Sequence, residues 1–311
     1  MSGAVSPTAR HAPRSGGSVA LVTHAGLPQL SDDEQHLVRA LAERGVRAVP
    51  AVWDDARVDW RAFDAVVVRS AWDYHLRFDD FRAWIDRLEA EGVPLWNPPA
   101  VLRWNADKTY LRDLAARGVR TVPTWWVEVG DGTPLSAILD GRGWADVVVK
   151  PAVSASGWET WRVTRDDVAE LEPRFRATAA RARLLVQPFV DEVTRDGEWS
   201  LLFFGGRFSH AVLKRPRAGE FRVQSEYGGS AAPARPPSSV LADAAAALRA
   251  LPGGEEPLYA RVDGCVLDGR LTVMELELLE PSAFLAADPH AGGRFADAIV
   301  ERLERSARRV A

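Results

Sequence analysis

LYARVDGCVLDGRLTVMELELLEP, residues 258–281, reads as two strands around the turn Asp268-Gly269. The strands alternate apolar residues with Arg261, Asp263, Glu275 and Glu277. Buried carboxylates are costly unless a cation offsets them. Arg261 is one such cation, and a magnesium ion is another. Mg²⁺ prefers oxygen ligands from a few carboxylates, shared with substrate phosphates. The acidic ladder therefore points to ATP chemistry.

Residues two apart on a strand share a face, roughly 6.5–7 Å apart. A strict two-residue turn would pair Arg261 with Leu276 and split the acids across the sheet. A three-residue loop over Leu267-Asp268-Gly269 would pair Arg261 with Glu275. That arrangement places all four charged residues on one face, with Ala260, Val262, Met274, Leu276 and Leu278 on the other, and is the one expected. Taken alone, the hairpin is equally compatible with an amphipathic ladder whose charged face meets water.

Outward from the hairpin, the 311 residues suffice for two or three domains. A net charge of −4 argues against nucleic acid as the main partner. The single cysteine, Cys265, excludes an intrachain disulfide framework, falls on the charged face of the expected hairpin, and fits a cytoplasmic setting. No stretch approaches the roughly 18 apolar residues of a membrane span. Residues 1–17, rich in Ser, Gly, Pro and Arg, read as a disordered tail.

From Ser18, strands alternate with helices: Ser18–Thr23, Val46–Val52, Ala65–Val68 and Val93–Trp96 are expected strands. Ser31 and Glu34 form a capping box before the first helix. This pattern implies an open, mostly parallel α/β sheet, with ligands beyond the carboxyl ends of its strands. Arg69, Ser70 and Asp73 lie at that edge and are sized for a substrate carboxylate and ammonium. His75 sits on the same loop.

A second unit carries Lys108 on a short helix and Lys150 at the end of a strand. The small-residue loop Ser154-Ala155-Ser156-Gly157 follows, and Gln187-Pro188-Phe189-Val190 ends another strand. A lysine beside backbone N–H groups and serines can hold phosphates. Strand-end backbone at Gln187–Val190 can read an adenine edge. The chain then becomes strand-rich, with Trp199–Phe204, Phe208–Lys214 and Phe221–Gln224 as expected strands. Ser230–Ser238 reads as a loop. A helix over about Gly292–Arg308 closes the chain.

The sequence holds no Walker A loop, GxGxxG fingerprint or HExxH motif. The order of its pieces is more specific: a helical lysine, a strand lysine, a small loop, a hinge strand, then Arg-Val-Asp and Glu-x-Glu. This order resembles the ATP-grasp superfamily, of the glutathione synthetase type. RSAWDY, WNADKTYL, LVQPF and VMELELLEP resemble its cycloserine synthetase branch, the O-ureido-serine cyclo-ligases. The resemblance implies an ATP-grasp fold, α+β in its ATP-binding part, behind the N-terminal α/β domain. It implies a substrate-side domain at 18–105, a central ATP-binding subdomain at 106–190, and a C-terminal ATP-grasp domain with the magnesium site at 191–311.

By the same resemblance, Lys108, Lys150, Ser154, Ser156 and Gly157 bind ATP phosphates, and Gln187, Phe189 and Val190 line the adenine site. Glu198 and Lys214 are further ATP contacts. Asp263, Glu275 and Glu277 hold Mg²⁺, in a site more acidic than that of the many relatives with asparagine at the last position. Arg261 lies near the phosphates or the activated carboxylate, Arg222 stabilises the tetrahedral intermediate, and Ser282 meets the substrate. The implied activity is ATP-dependent ligation of a carboxylate to an amine or similar nucleophile through an acyl phosphate, on a small amino-acid-like molecule, with ring closure within one molecule as its specific form. A kinase that stops at phosphate transfer and a non-catalytic nucleotide scaffold are the alternatives. Homo-oligomerisation stays open.

Overall fold

The computed structural model describes residues 16–254 and 256–310. Most of the expected disordered tail, residues 1–15, lies outside the described residues. The first sheet contains β1 (Ser18–Thr23), β2 (Arg47–Val52), β3 (Ala65–Ser70) and β4 (Leu95–Trp96) in the order β2-β1-β3-β4. All its pairings are parallel. Its central strands are continuous apolar runs because both faces are covered. Leu37 and Leu41 of the helix Gln35–Glu43 pack on one face with Val19, Leu21 and Val67. Phe81, Trp84, Ile85 and Leu88 of the helix Phe78–Ala90 cover the other. The helix Ala291–Val310 also joins the first face, through Phe295 and Ile299. The capping box forms reciprocally: Glu34 accepts from the Ser31 amide at 3.0 Å, and the Glu34 amide donates to the Ser31 hydroxyl at 3.3 Å.

The second sheet holds β5 (Trp125–Val127), β6 (Asp146–Pro151), β7 (Trp161–Thr164) and β8 (Leu184–Pro188), antiparallel and ordered β5-β8-β6-β7. The helices Leu135–Arg142 and Val168–Ala179 pack on one of its faces. The third sheet is antiparallel and ordered β11-β10-β9-β12-β13. Its strands are β9 (Glu198–Phe204), β10 (Arg207–Arg215), β11 (Ser230–Pro233), β12 (Tyr259–Leu267) and β13 (Arg270–Glu277). The helix Ser238–Arg249 covers its apolar face. Among the described residues, no helix is long and apolar enough to cross a membrane.

Two expectations change here. Phe221–Gln224 is not a strand: the Glu220 carboxylate captures the amides of Phe221 and Arg222 at 2.9 and 3.1 Å, which removes them from any ladder. Instead Ser230–Pro233, expected as loop, pairs with β10 as an exposed edge strand.

The hairpin of residues 258–281 also corrects its expected register. Its turn has two residues, with Leu267 opposite Arg270 and positive φ at both Asp268 (52°) and Gly269 (74°). A β-bulge then inserts one extra residue, Met274, between the partners of Gly264 and Asp263. Asp263 therefore faces Glu275, and Arg261 faces Glu277 rather than Glu275. The bulge reunites the charges that the short turn would have split. It also turns Met274 away from Val262 and Leu276 into a separate cluster with Val190, Val223 and Cys265. Gly264 permits this local crowding: a Cβ there would sit 2.3 Å from the Thr272 carbonyl.

Candidate active site

The second and third sheets enclose a cavity of about 350 Å³. β6 contributes Lys150, β8 Gln187, β9 Glu198, β10 Lys214, and the hairpin its charged face. Lys108 enters from the turn between the helices Pro99–Asn105 and Tyr110–Ala116, not from a helix as expected, and its amine donates to the Ser154 carbonyl at 2.7 Å. Its ion pair with Glu275 is 3.1 Å long. Burial opposes its charge, yet Glu275 keeps its pKa above the usual lysine value. Lys150 differs. Burial, reinforced by Lys108, lowers its pKa, and no carboxylate among the described residues lies within ion-pair distance of it. A half-buried cation without a local counter-ion favours an anionic ligand.

Asp263 is 2 % exposed. It accepts hydrogen bonds from Ser200 Oγ (2.6 Å) and Arg261 Nε (3.0 Å), and pairs with Lys214 at 3.3 Å. Although burial opposes it, Arg261 and Lys214 hold its pKa low. Arg261 also pairs with Glu277. Burial, partly countered by Arg261 and reinforced by Glu275 and Asp263, pushes Glu277 up to about 8. Burial likewise pushes Glu280 up to about 7. Glu198 pairs with Lys214 at 2.6 Å, and burial raises its pKa too.

This donor set fits magnesium held together with phosphates. Its ligands would all be oxygens, and the raised carboxylates mark a region short of positive charge. Among the described residues, no three acids form a closed metal cage; each of Asp263, Glu275 and Glu277 already faces a protein cation. Such a site takes its remaining ligands from the substrate.

The rest of the lining divides by chemistry. Val190, Phe221, Val223 and Met274 give an apolar end, beside the strand end Gln187-Pro188-Phe189. The Gln187 amide donates to Thr124 Oγ1 at 2.9 Å. Ser154, Ser156 and Gly157 also line the cavity, with positive φ at Ser156 (49°) and Gly157 (67°). Arg222 reaches the lining from the following loop, stacked 3.5 Å from the Tyr227 ring centroid and forked onto Glu220, whose pKa it holds near 2. Ser282 lines the cavity, and its carbonyl accepts from Arg261 at 3.1 Å.

Arg69, Ser70 and Asp73 are not among the lining residues. Arg69, 1 % exposed, donates to the Pro281 carbonyl at 2.7 Å and lies over the rings of Tyr259 and Phe295. Glu34 is its acidic neighbour at 3.6 Å. Ser70 bonds Thr23 and Glu34. Asp73 accepts from the Trp53 indole at 2.9 Å. In this conformation their polar atoms tie elements together. The same loop instead sends Trp72 and Tyr74 to the cavity, which the sequence reading passed over because aromatic residues usually pack. Glu280 was missed as well; its signal was a third acid beyond the Glu-x-Glu pair. His75 stands with its ring 5.3 Å from that of Trp158, which follows the Ser154–Gly157 loop. Cys265 is buried, its thiol 3.5 Å from the Gly197 carbonyl, and burial raises its pKa.

Residues 19–97 match the family model described as the N-terminal domain of D-cycloserine synthetase DcsG. Over 302 residues the chain is 36 % identical to the cycloserine biosynthesis protein DcsG of Streptomyces lavendulae, covering 93 % of this chain and 99 % of that protein. The crystal structure of D-cycloserine synthetase DcsG superposes with a TM-score of 0.83 at 33 % identity, over 92 % of this chain and all of that one. A D-alanine–D-alanine ligase of Bacillus anthracis complexed with ATP shares the fold, with a TM-score of 0.65 at 17 % identity, over 95 % of this chain and 100 % of that one.

Proposed function

The chain belongs to the cycloserine synthetase family of ATP-grasp ligases, and on that premise we propose that its cavity binds ATP with Mg²⁺ and closes an amino-acid-like substrate, of the O-ureido-serine type, into a ring. The enzyme is an ATP-dependent ligase that forms a C–N bond. One observation carries the assignment of the site: Lys108, Lys150 and Arg261 converge with Asp263, Glu275 and Glu277 on a single cavity, although they come from distant parts of the chain.

In this reading the apolar end at Val190, Phe221, Val223 and Met274 receives the adenine. Lys108 and Lys150 bind the phosphates, and the loop Ser154–Gly157 covers them with backbone N–H groups. Asp263, Glu275 and Glu277 hold Mg²⁺, which neutralises charge on the phosphate oxygens when bound. The substrate carboxylate attacks the γ-phosphorus of ATP; the bond to the ADP oxygen breaks, giving an acyl phosphate. The substrate's own N–H nitrogen then attacks that carbonyl carbon. Arg222 stabilises the oxyanion, phosphate leaves with the bonding electrons, and the nitrogen loses its proton. Positioning and fixed charge supply most of the acceleration. The loop also excludes water, which would hydrolyse the acyl phosphate.

The test is ADP release with Mg²⁺ across a panel of amino acids that includes O-ureido-serine, with hydroxylamine present in a parallel series. Substrate-dependent ADP and a trapped hydroxamate are expected. ADP with a stable phosphorylated product would indicate a kinase, and no substrate-dependent turnover a scaffold.

A further inference from the structure

Six carboxylates line the cavity. Asp263, Glu275, Glu277 and Glu198 each pair with a lysine or arginine of the protein. Glu226 is exposed on its loop and accepts a hydrogen bond from the Ser225 hydroxyl. Glu280 is half-buried and forms no ion pair within 4 Å among the described residues. The cations that act on it at longer range, Lys108 and Arg261, are already engaged by Glu275 and Glu277.

The backbone that carries Glu280 is fixed from three sides. Trp72 Nε1 donates to the Glu280 carbonyl at 3.0 Å, and Arg69 donates to the neighbouring Pro281 carbonyl at 2.7 Å. The Tyr259 hydroxyl donates to the Leu279 carbonyl at 2.8 Å. Two of these donors come from the edge of the first sheet, so that sheet positions a carboxylate that lines the cavity. A fixed, partly desolvated anion without a protein counter-ion is matched to a cation that arrives with the ligand.

We propose that Glu280 is a specificity residue that receives the α-ammonium group of the amino-acid substrate, with the Trp72 indole forming the wall beside it. The inference rests on the amino-acid ligase reading above. Glu280 stands three residues beyond Glu277 on the same chain segment. Lys108 and Arg261 lie within electrostatic range of Glu280, so a small amino acid held there by its ammonium can present its carboxylate to that cationic end of the cavity. Glu280 thereby selects substrates that bear an amine and sets their orientation for ring closure.

The experiment compares wild type with Glu280→Gln, using O-ureido-serine and its desamino analogue, with ATP and Mg²⁺ varied separately. Glu280→Gln is expected to raise KM for O-ureido-serine roughly 30-fold or more. It should leave KM for ATP and the Mg²⁺ dependence unchanged, and leave the analogue's weak turnover unaltered. Equal losses on both substrates, or a shift confined to Mg²⁺ dependence, overturns the proposal; the second outcome makes Glu280 a metal ligand. Calorimetric binding of serine and of 3-hydroxypropanoate to the ADP- and Mg²⁺-loaded protein separates this inference from the ligase reading. Preference for serine that is lost in Glu280→Gln supports the role of Glu280 even where turnover fails and the ligase reading falls. Absence of that preference in wild type overturns it even where the enzyme proves to be a ligase. Trp72→Phe, which removes one anchor, should show the same selective KM effect at smaller size.

Discussion

Two polar clusters of similar composition have opposite fates. At the edge of the first sheet, Arg69, Ser70 and Glu34 are buried and bonded to one another or to carbonyls of the chain. On the hairpin, Arg261, Glu275 and Glu277 line a cavity, and Lys150 opposite them forms no ion pair among the described residues. In both places charge is partly or wholly removed from water. The difference lies in charge balance: Arg69 and Glu34 pair at 3.6 Å, although Arg69 Nε and Glu34 Oε1 make no hydrogen bond, whereas Lys150 has no carboxylate within ion-pair distance among the described residues. A charge-balanced cluster stabilises the junction between elements; an unbalanced one favours a ligand.

The strongest test of this contrast removes the charge-balanced cluster. Arg69→Ala leaves Glu34 without its buried counter-ion and Pro281 without its donor, and should cost about 3–5 kcal/mol of stability. Chemical denaturation measures the loss, and KM for ATP of the folded fraction should stay unchanged. A stable Arg69→Ala protein that has lost ATP affinity would reverse the assignment of the two clusters. In the open cluster, Lys150→Met should lower kcat by roughly 10²–10³-fold. Its thermal midpoint should hold or rise, because a half-buried, unpaired charge disappears. Loss of fold with Lys150→Met would show that its role is structural.

Gly264→Ala sharpens the comparison from within the hairpin. Its Cβ would meet the Thr272 carbonyl at 2.3 Å, so the strands must shift, at about 1–3 kcal/mol. That shift should also raise the Mg²⁺ concentration needed for half-maximal activity, since Asp263 and Glu275 face each other only through this bulge.

The smallest effect concerns pH. Glu277 at about 8 and Glu280 at about 7 bind protons more tightly in the folded chain than in the unfolded one. Their contribution to stability is therefore greatest below the unfolded carboxylate pKa and declines as pH rises through 7 and 8. The ligand-free protein should lose a few degrees in thermal midpoint between pH 5.5 and 8.5 (on the order of a few °C). Glu277→Gln should flatten the trend, and ADP with Mg²⁺ should flatten it in the parent. A midpoint that rises over this range would show these acids to be ionised and satisfied by the protein alone.

Much of this arrangement was legible in the residues. Apolar runs and the Ser31–Glu34 capping box gave the first sheet and the start of its first helix. The spacing of Arg261, Asp263, Glu275 and Glu277 gave one charged face. The compensating bulge at Met274 was not legible, because alternation cannot distinguish a three-residue turn from a two-residue turn followed by an inserted residue. The fate of Phe221–Gln224 depends on Glu220 capturing two amides, a local competition that strand propensity ignores. The contacts of Arg69 and Asp73 were hidden for a different reason. Their partners, Pro281 and Trp53, are distant in sequence, and a polar loop residue looks the same whether its partner is a substrate or a carbonyl.

The helix Ala291–Val310 covers a sheet whose strands are made first, with the other two sheets synthesised in between. During translation, Leu37 and Leu41 can shield part of the face formed by Val19, Leu21 and Val67, and the rest must wait for Phe295 and Ile299. A nascent chain arrested before Ala291 would present a sticky β-surface while its later sheets were already built. Ribosome stalling near the 3′ end of the message should therefore produce aggregation or chaperone capture, rather than a truncated enzyme with partial function.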